Sequence, residues 1–371
     1  MGKALRNKVL KVHLYLAFIG GAFLLMLSVS GALLVFGKEI QHTIWPDYWQ
    51  VEAQNSPLSV NTLVRSLQQQ AEAENSELKQ LKIAEKNSIV WTANLANGTQ
   101  WNIDPFTGRI VHRFTTGQDF YSYILFFHRW LLMDAGPYRD WTRHIISIAA
   151  LLFILQIIVG VCLWLQPRKR AIKRLKYKTG LPFRPWLNQL HLISGVYAGI
   201  FLILIAYTGI GFNWPEVNKL VEWLSFSKVS YPPPPKTAPI GGTNQFGLAL
   251  KNGQQALPEA ELRRIYFPQD KNKPMVLRYK TSGEFHPFSY VWVDGGSGNV
   301  LLTHNASKAS RATRVWNFKY KFHIGDFAGT PVRFIWLVLS LLPCFFVLSG
   351  FYLWWKRNPT HKKRSNVSLI R

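Results

Sequence analysis

The sequence predicts a mainly α-helical membrane protein, with four transmembrane helices in a tandem two-fold repeat and two water-exposed α+β modules. Three observations predict this fold. Apolar residues occur in four long blocks, basic residues are concentrated in short segments beside those blocks, and the same landmarks occur twice in the same order. Because the apolar residues are grouped in this way, the length of 371 residues does not indicate a number of soluble domains.

Each apolar block is long enough to cross a bilayer. The blocks cover residues 12–36, 145–165, 188–213 and 333–355, and a helix of about 20 apolar residues crosses the hydrocarbon core. None of them contains Asp, Glu, Lys or Arg except Arg333 at the edge of the last block. The first block is longer than a secretory h-region of about 7–15 residues, so we expect it to remain as an anchor.

The charge distribution predicts the topology. Residues 1–11, 166–187 and 356–371 together carry 18 basic and no acidic residues, whereas all 19 acidic residues lie elsewhere. Short loops rich in Lys and Arg remain in the cytoplasm. We therefore expect a multi-pass protein of the bacterial inner membrane with both termini cytoplasmic. Basic loops also attract the anionic lipid bilayer, and with this distribution the net charge of +25 does not indicate nucleic-acid binding.

These two patterns divide the chain into eight parts. In chain order we expect the following organisation: 1–36, cytoplasmic N-terminus and first span; 37–143, first periplasmic module; 144–165, second span; 166–187, basic cytoplasmic loop; 188–213, third span; 214–332, second periplasmic module; 333–355, fourth span; 356–371, cytoplasmic tail.

Two halves of the chain share the same landmarks. Each half has a helix that carries a histidine, an outer segment, a second histidine and a second helix. The matched landmarks, 178 or 190 residues apart, are His13 and His191, Ser30-Gly31 and Thr208-Gly209, Asp104 and Asp294, Gly160 and Gly350, and Trp164 and Trp354. The shared order of so many landmarks predicts a tandem repeat.

Each outer segment has the pattern of a small α+β module. Residues 57–74 are predicted to be helical, with a polar start at Ser59 followed by apolar residues at helical spacing. Residues 88–95, 99–104 and 109–114 have strand composition between turn residues. The second module is expected over 244–304, after a stiff proline-rich linker at 231–236.

Four histidines form two equivalent pairs. His13 and His191 lie at the same depth in the first and third spans, and His128 and His323 lie just before the second and fourth spans. An ionisable residue inside a membrane indicates function by default, although an interhelical hydrogen bond is the simpler interpretation of one such histidine. Matched histidines on facing helices can hold a cofactor in a bundle.

Other residues leave alternatives open. His144 has no counterpart because the matching position is Phe334, so it is either a supplementary ligand or an interface residue. Small residues in the first and third spans either let a flat macrocycle approach the backbone or pack helices. These small residues are Gly20, Gly21, Gly195 and Gly199. The remaining histidines are expected at the surface, and they are His42, His112, His286, His304 and His361. For His286 and His304, contact with a substrate is the alternative.

The donor set favours haem over other metal centres. Zinc would usually recruit Cys, Asp or Glu as well, whereas haem iron accepts two axial imidazoles in an apolar environment. The chain has no C-x-x-C-H motif, and its two cysteines lie inside spans. We therefore expect non-covalent haem b, with two haems at different depths that carry electrons across the membrane.

Several of these motifs resemble one known family. The Asp-x-x-[Ser/Thr]-Gly stretches, the histidines at the start of spans and the closing Gly-x-x-Leu-Trp resemble the PepSY-associated transmembrane proteins over residues 8–358. The resemblance implies an iron-regulated inner-membrane protein with two periplasmic PepSY-like modules. It also implies that His13, His191, His128 and His323 are haem ligands. One member of that family is a haem-containing siderophore reductase of ferrioxamine utilisation.

The expected function is therefore a haem-dependent oxidoreductase that reduces ferric siderophore at the periplasmic face. The cytoplasmic segments are too short for a flavin or nicotinamide domain, so the electron donor is expected to be a separate reductase or a membrane quinol. The alternative is a non-enzymatic PepSY module that binds or regulates a periplasmic partner. A permease is disfavoured because the spans contain no charged residue, and no Gly-x-Ser-x-Gly or His-Glu-x-x-His motif supports a hydrolase.

Overall fold

The computed structural model describes residues 2–54, 56–133, 136–236, 245–270 and 272–357. These residues form two compact units between which the chain alternates. A helical unit takes its residues from 1–35, 124–217 and 322–371, and a sheet unit takes its residues from 36–123 and 218–321.

Helices and strands are numbered in chain order. The α-helices are α1 (Lys3–Val35), α2 (Gly37–Ile44), α3 (Pro46–Trp49), α4 (Val60–Ala73), α5 (Phe120–Trp130), α6 (Tyr138–Trp164), α7 (Phe183–Ile210), α8 (Asn218–Ser225), α9 (Phe246–Ala256), α10 (Arg311–Ile324) and α11 (Gly329–Trp355). The strands are β1 (Leu78–Lys82), β2 (Trp91–Leu95), β3 (Thr99–Ile103), β4 (Ile110–Thr115), β5 (Glu261–Tyr266), β6 (Met275–Lys280), β7 (Ser289–Val293) and β8 (Val300–His304).

Within the described residues, four helices are long and apolar enough to cross a membrane: α1, α6, α7 and α11. The chain is a multi-pass membrane protein. Three of these helices begin before the expected positions 144, 188 and 333, at Tyr138, Phe183 and Gly329. The extra turn of α6 contains Asp140, which pairs with Arg143 at 3.4 Å, so hydropathy alone places the start of that helix too late. The extra turns also expose aromatic side chains, at Tyr138, Trp141 and Phe183.

The four long helices pack as a closed ring in which α1 contacts α6 and α11, and α7 contacts the same two helices. Their shared core includes Leu24, Phe153, Ile157, Leu202 and Leu339. The helix ends at residues 3, 164, 183 and 355 adjoin the basic segments and are called the basic end. The ends at residues 35, 138, 210 and 329 are called the opposite end.

The Ser28 hydroxyl group of α1 forms hydrogen bonds with the backbone of α11. Pro343 lies inside α11 and has no N–H to donate. Ser28 Oγ donates to Ser340 O at 2.5 Å and accepts from Cys344 N at 3.2 Å. Neighbouring helices often satisfy the backbone groups that an intramembrane proline disturbs, and Ser28 does so here.

The sheet unit contains one antiparallel sheet with the strand order β4-β3-β2-β1-β5-β6-β7-β8. Strands β1–β4 come from the first outer segment and β5–β8 from the second. The pairing of β1 with β5 joins them at Leu81 and Ile265. The two expected modules therefore share a single sheet, and the order is symmetric about the β1–β5 junction.

The local predictions for these segments agree well with the structure. Helix α4 begins after Ser59, whose hydroxyl accepts a hydrogen bond from Thr62 N as an N-cap. The predicted β3–β4 turn has Asp104 Oδ1 accepting from Phe106 N at 2.9 Å and Gly108 at a φ of 74°. That conformation favours glycine. Strand β1 was missed, because its five residues are Leu, Lys and Gln and include no β-branched or aromatic residue.

The two faces of the sheet differ in chemistry. Helices α4 and α9 contribute Leu63, Leu67 and Ala249 to a core against one face, which contains Trp101 and Leu277. Side chains alternate between the two faces along a strand. Lys82, Arg264 and the residues paired with them across the sheet therefore lie on the face opposite to Trp101 and Leu277. We call the following cross-strand set the polar row: His112, Asn102, Thr92, Lys82, Arg264, Arg278, Tyr290 and His304.

Candidate functional site

At the opposite end of the helical unit, the structure brings His128 and His323 together. His128 lies on α5 and His323 on α10, two short helices that precede α6 and α11. Their imidazole ring centroids are 6.4 Å apart, and the ring planes make an angle of 55°. Sequence analysis predicted the equivalence of these two histidines, and the structure shows that they face each other.

Each ring of this pair is seated against a long helix. His128 Nδ1 is 2.9 Å from Ser30 Oγ on α1, and His323 Nδ1 is 3.1 Å from Thr208 Oγ1 on α7. A glycine follows each hydroxyl residue. A Cβ added at Gly31 would lie 3.3 Å from His128 Cε1, and one added at Gly209 would lie 3.1 Å from His323 Cε1. The glycines therefore leave just enough room for the imidazole edges.

The basic end has a second pair with the same kind of seat. His13 of α1 and His191 of α7 both lie near the basic end of their helices. A Cβ at Gly160 would lie 3.3 Å from His13 Cε1, and one at Gly350 would lie 3.6 Å from His191 Cε1. His191 Nδ1 is 2.7 Å from Ser349 Oγ.

His13 departs from this pattern. The position that matches Ser349 is Val159, which has no hydroxyl group. Within the described residues, His13 Nδ1 is buried without a hydrogen-bond partner. Its Nε2 is instead 3.2 Å from Nε2 of Gln156 on α6. A buried polar atom without a partner is costly, so His13 is the least satisfied of the four histidines.

Hydrogen bonding sets the tautomer of the other three rings. The hydroxyls of Ser30 and Ser349 donate to the carbonyls of Met26 and Phe345, both at 2.6 Å, and Thr208 Oγ1 donates to Leu204 O at 2.9 Å. Each hydroxyl has then used its proton and accepts from the histidine Nδ1–H. A proton on Nδ1 leaves the Nε2 lone pair available to a metal.

The geometry of the opposite-end pair fits a metal held between two imidazoles. Metal–imidazole bonds of about 2 Å place two ligating nitrogens about 4 Å apart and the ring centroids about 6 Å apart. The observed centroid distance is 6.4 Å. Among the described residues, no group of three or more His, Cys, Asp or Glu is placed to hold an ion. Two facing imidazoles in an apolar bundle therefore suit haem iron better than a bare ion.

The two pairs are well separated along the bundle. On α1, His13 marks the basic-end pair and Gly31 contacts the opposite-end pair. The rise of an α-helix, 1.5 Å per residue, puts these two levels about 27 Å apart. The intervening bundle is filled by the apolar core around Leu24, Phe153 and Leu202. The helical unit thus has two distinct imidazole sites rather than one.

Four glycines had two alternative roles, the approach of a macrocycle or the packing of helices. Added Cβ atoms at Gly21 and Gly195 would meet Val347 and Phe346 of α11. Added Cβ atoms at Gly20 and Gly199 would meet Leu152 and Ile157 of α6. These contacts correspond to close packing of neighbouring helices, the second of the two roles considered for them. The glycines that touch the histidines are Gly31, Gly160, Gly209 and Gly350.

The unmatched histidines lie elsewhere. His144 is exposed on α6 and accepts a hydrogen bond from Trp214 Nε1 at 2.9 Å. It contacts none of the four paired histidines among the described residues. Four others are half-buried against aromatic rings. They are His42 against Trp49, His112 against Tyr48, His286 against Tyr320, and His304 against Tyr290. His361 lies outside the described residues.

A family model described as the PepSY-associated TM region matches residues 10–357. The chain belongs to this PepSY-associated family. The match includes all four paired histidines and the strands of both outer segments, so it covers the helical unit and the sheet unit alike. No curated protein matches the chain significantly.

Sequence reasoning missed the residues that orient the histidines. Ser30, Thr208 and the four glycines were visible as landmarks of the repeat, but their contacts with histidines were not anticipated. A usable signal existed, because a hydroxyl residue followed by glycine occurs at Ser30, Thr208 and Ser349. Each of these dipeptides contacts one of the paired histidines.

Proposed function

We propose that this PepSY-associated protein is a haem-containing transmembrane electron-transfer protein that reduces a ferric siderophore at the periplasmic face and so releases iron. The observation that carries the proposal is the pair of His128 and His323, whose ring centroids are 6.4 Å apart and whose Nδ1 atoms are engaged by hydroxyl groups. The similar seats of His13 and His191 add a second site at the basic end.

Two haem b groups are the proposed cofactors, one held by His128 and His323 and one by His13 and His191. Bound haem would supply reversible one-electron chemistry. The chain contributes Nε2 lone pairs, a fixed ring orientation and an apolar bundle that excludes water. Ser30, Thr208 and Ser349 supply the orientation, as hydrogen-bonded partners of metal-binding histidines usually do.

The proposed orientation places the sheet unit in the periplasm and the basic end in the cytoplasm of a bacterial inner membrane. It is supported by the 18 basic residues in the three segments that flank the basic end, because such segments are retained in the cytoplasm. Reporter fusions at residues 80, 176, 260 and 371 test it. We expect periplasmic signals at 80 and 260 only, and a periplasmic signal at 176 contradicts the topology.

The reaction is a one-electron reduction of iron(III) to iron(II) within the siderophore. Iron(II) is held far less tightly by such chelators, so it dissociates. The proposed electron donor is a separate reductase or a membrane quinol. The oxygen atoms of the siderophore that release the iron take up protons from water.

The decisive experiment begins with the colour of the purified, full-length protein expressed with ample haem. We expect the absorption spectrum of low-spin haem with two axial histidines. The protein is then reduced chemically, freed of excess reductant and mixed with ferric siderophores and a ferrous-iron trap. Reoxidation together with trapped iron(II) supports the proposal.

Two results contradict the proposal. A colourless protein removes the cofactor and favours the alternative, a non-enzymatic module that binds or regulates a periplasmic partner. A haem protein that stays reduced with every ferric siderophore, yet reoxidises rapidly with a quinone, carries electrons to another acceptor.

A further inference from the structure

The polar row of the sheet unit concentrates positive charge at its centre. Lys82 of β1, Arg264 of β5 and Arg278 of β6 are direct cross-strand partners. Neighbouring strands are about 4.8 Å apart, so three basic side chains stand side by side on one face. Like charges directly opposite one another destabilise a sheet. The row therefore contains a local electrostatic cost.

The carboxylate of Glu261, at the start of β5, forms an ion pair with Arg263 and not with any of these three cations. The other five members of the polar row are Asn, Thr, Tyr and His residues. The adjacent row on the same face consists of uncharged residues, namely Phe114, Gln100, Asn94, Gln80, Tyr266, Val276, Trp292 and Leu302. Among the described residues, Lys82, Arg264 and Arg278 form no ion pair.

Arg278 makes this arrangement unusual because it is only 8% exposed. Its Nε donates to Pro287 O, and its guanidinium lies 5.2 Å from the Phe288 ring centroid and 5.3 Å from the Tyr290 ring centroid. Arg264 and Arg278 both donate to the hydroxyl of Tyr266, at 3.5 Å and 3.4 Å. Two guanidinium groups thus share one neutral acceptor where a carboxylate would normally be expected.

Neighbouring groups respond to this positive field. Burial, together with Arg278, Arg264, Lys321 and Lys38, lowers the pKa of His286 to about 3. Burial acting alone would raise the pKa of Tyr266, but Arg264 and Arg278 outweigh it and lower that pKa.

The nearest acids do not fill the site. Glu284 accepts hydrogen bonds from Thr281 N, from Ser289 Oγ and, through its other oxygen, from Phe288 N. It is therefore fixed in the loop before β7. Asp119 interacts with Lys82 through charge, and its Oδ1 accepts from Ser122 N. Neither carboxylate contacts the two guanidinium groups of the row.

From this geometry we infer that the face bearing Lys82, Arg264 and Arg278 is a binding site for a multiply charged oxyanion. Carboxylate, phenolate or phosphate oxygens would supply the acceptors that the two guanidinium groups lack, and Tyr266 and Tyr290 would flank the ligand. The inference rests on the proposed function for one step only: if the protein reduces a ferric siderophore, its preferred substrates are anionic ferric chelates rather than neutral ones.

The test measures binding without any redox step. Gallium(III) forms chelates of the same charge as iron(III) but is not reduced under these conditions. Gallium citrate is titrated by calorimetry into the full-length protein in phosphatidylcholine nanodiscs at low salt. Arg264→Gln and Lys82→Gln are each expected to raise Kd about tenfold, because hydrogen bonds to charged groups are stronger than those between neutral groups. Arg264→Lys keeps the charge and should recover part of the loss.

Arg113→Gln is the matched control, because it removes one positive charge from the same sheet. Arg113 is paired in register with the buried Trp101 and forms an ion pair with Glu74 at 3.3 Å, so it belongs to the other face. Its Kd should equal that of the unaltered protein. Equal affinity in Arg264→Gln and the unaltered protein overturns the inference, as does an equal loss in Arg113→Gln. Melting temperatures identify any variant that fails to fold.

Further arms identify the source of the anion. If lipid phosphate occupies the site, nanodiscs of phosphatidylglycerol will weaken gallium citrate binding, and Arg264→Gln will remove that difference. If a soluble chelate is the ligand, lipid composition will have no effect. A neutral gallium trihydroxamate should bind the unaltered protein and Arg264→Gln equally. If the protein binds gallium citrate but reduces no ferric chelate, the proposed function is wrong and the anion-binding site still stands.

Discussion

The helical unit and the sheet unit use corresponding residues of the two halves in different ways. In the helical unit, histidines and glycines from both halves remain matched, and His128 faces its counterpart His323. In the sheet unit, positions symmetric about the β1–β5 junction have diverged. In the register that matches Asp104 with Asp294, Lys82 corresponds to Tyr266, Arg264 to Gln80 and Arg278 to Asn94, so none of the three cations is matched by a cation.

The difference has a physical reason. In the proposed haem sites, each half supplies one axial imidazole, which would keep the paired histidines matched. A site for an asymmetric anion has no such requirement, and charge can accumulate in one half. The matched histidines would then mark the places where the two halves hold one proposed metal.

The largest effect is expected when one histidine of a matched pair is removed. His323→Ala is expected to eliminate the low-spin signal of the opposite-end haem and to leave that of the basic end. One ligand alone does not hold the iron in the same state. Absorption and electron paramagnetic resonance spectra of the purified protein measure the loss.

His144→Ala is the control, because His144 is bonded to Trp214 rather than to a paired histidine. Unchanged spectra in His323→Ala would move the ligand role away from this pair.

A smaller effect is expected from the hydroxyl group beside His191. Ser349→Ala removes the acceptor of the Nδ1 proton, 2.7 Å away, and such partners change metal affinity by about 10–100-fold. Val159→Ser places a hydroxyl at the corresponding position beside His13, whose Nδ1 has no partner among the described residues. We expect tighter haem retention in Val159→Ser, measured by transfer of haem to apomyoglobin. Equal haem retention in Ser349→Ala and Val159→Ser would show that these hydroxyl groups do not affect haem binding.

The glycine seats provide a matched pair of variants. An added Cβ at Gly209 would be 3.1 Å from His323 Cε1, whereas at Gly350 it would be 3.6 Å from His191 Cε1. Overpacking costs about 1–3 kcal/mol, so Gly209→Ala should weaken haem binding by about tenfold. Gly350→Ala has ordinary contact and should bind nearly normally. Comparable losses in both would show that backbone flexibility, and not space, selects glycine.

The smallest expected effect is a pH dependence in the sheet unit. Burial, Arg264 and Lys38 lower the pKa of Lys82 to about 7, even though part of its side chain is exposed. The lysine is therefore charged below that pH and loses its proton above it. Gallium citrate affinity should fall by about fivefold as the pH rises from about 6 to 8, a change of one nearby charge.

His286, with a pKa of about 3, stays neutral throughout this range and does not contribute to the change. Lys82→Gln should flatten the profile, and a profile that persists in this variant assigns the titration to another group.

Local patterns explain why much of the helical unit was predictable. Hydropathy identifies the spans because each one needs about 20 consecutive apolar residues to cross the bilayer. The four paired histidines were identified by their matching positions in the repeat. The short helices α5 and α10 were not predicted, since their aromatic residues have no clear boundary signal. The contacts of His128 with Ser30 and of His323 with Thr208 join residues far apart in sequence, which a pattern along the chain does not reveal.

The sheet unit shows the same limit more strongly. Its strands follow from local composition, but the pairing of Lys82 with Arg264 depends on a register between segments that are distant in the chain. By sequence, the outer segments carry a modest positive excess that selects no ligand. Register turns that excess into three adjacent cations, and only the structure supplies the register.

The bond network of Ser28 with α11 has a consequence for how the protein is made. Because Ser28 belongs to the first span and Pro343 to the last, the ring of helices cannot close until the whole chain has been synthesised. Until then, α1 lacks one of its two neighbours, and the Ser28 hydroxyl has no proline-disturbed backbone to repair. The completed membrane bundle is thus an all-or-none product of the full chain, and a protein truncated before residue 343 lacks the contact that ties its last span to its first.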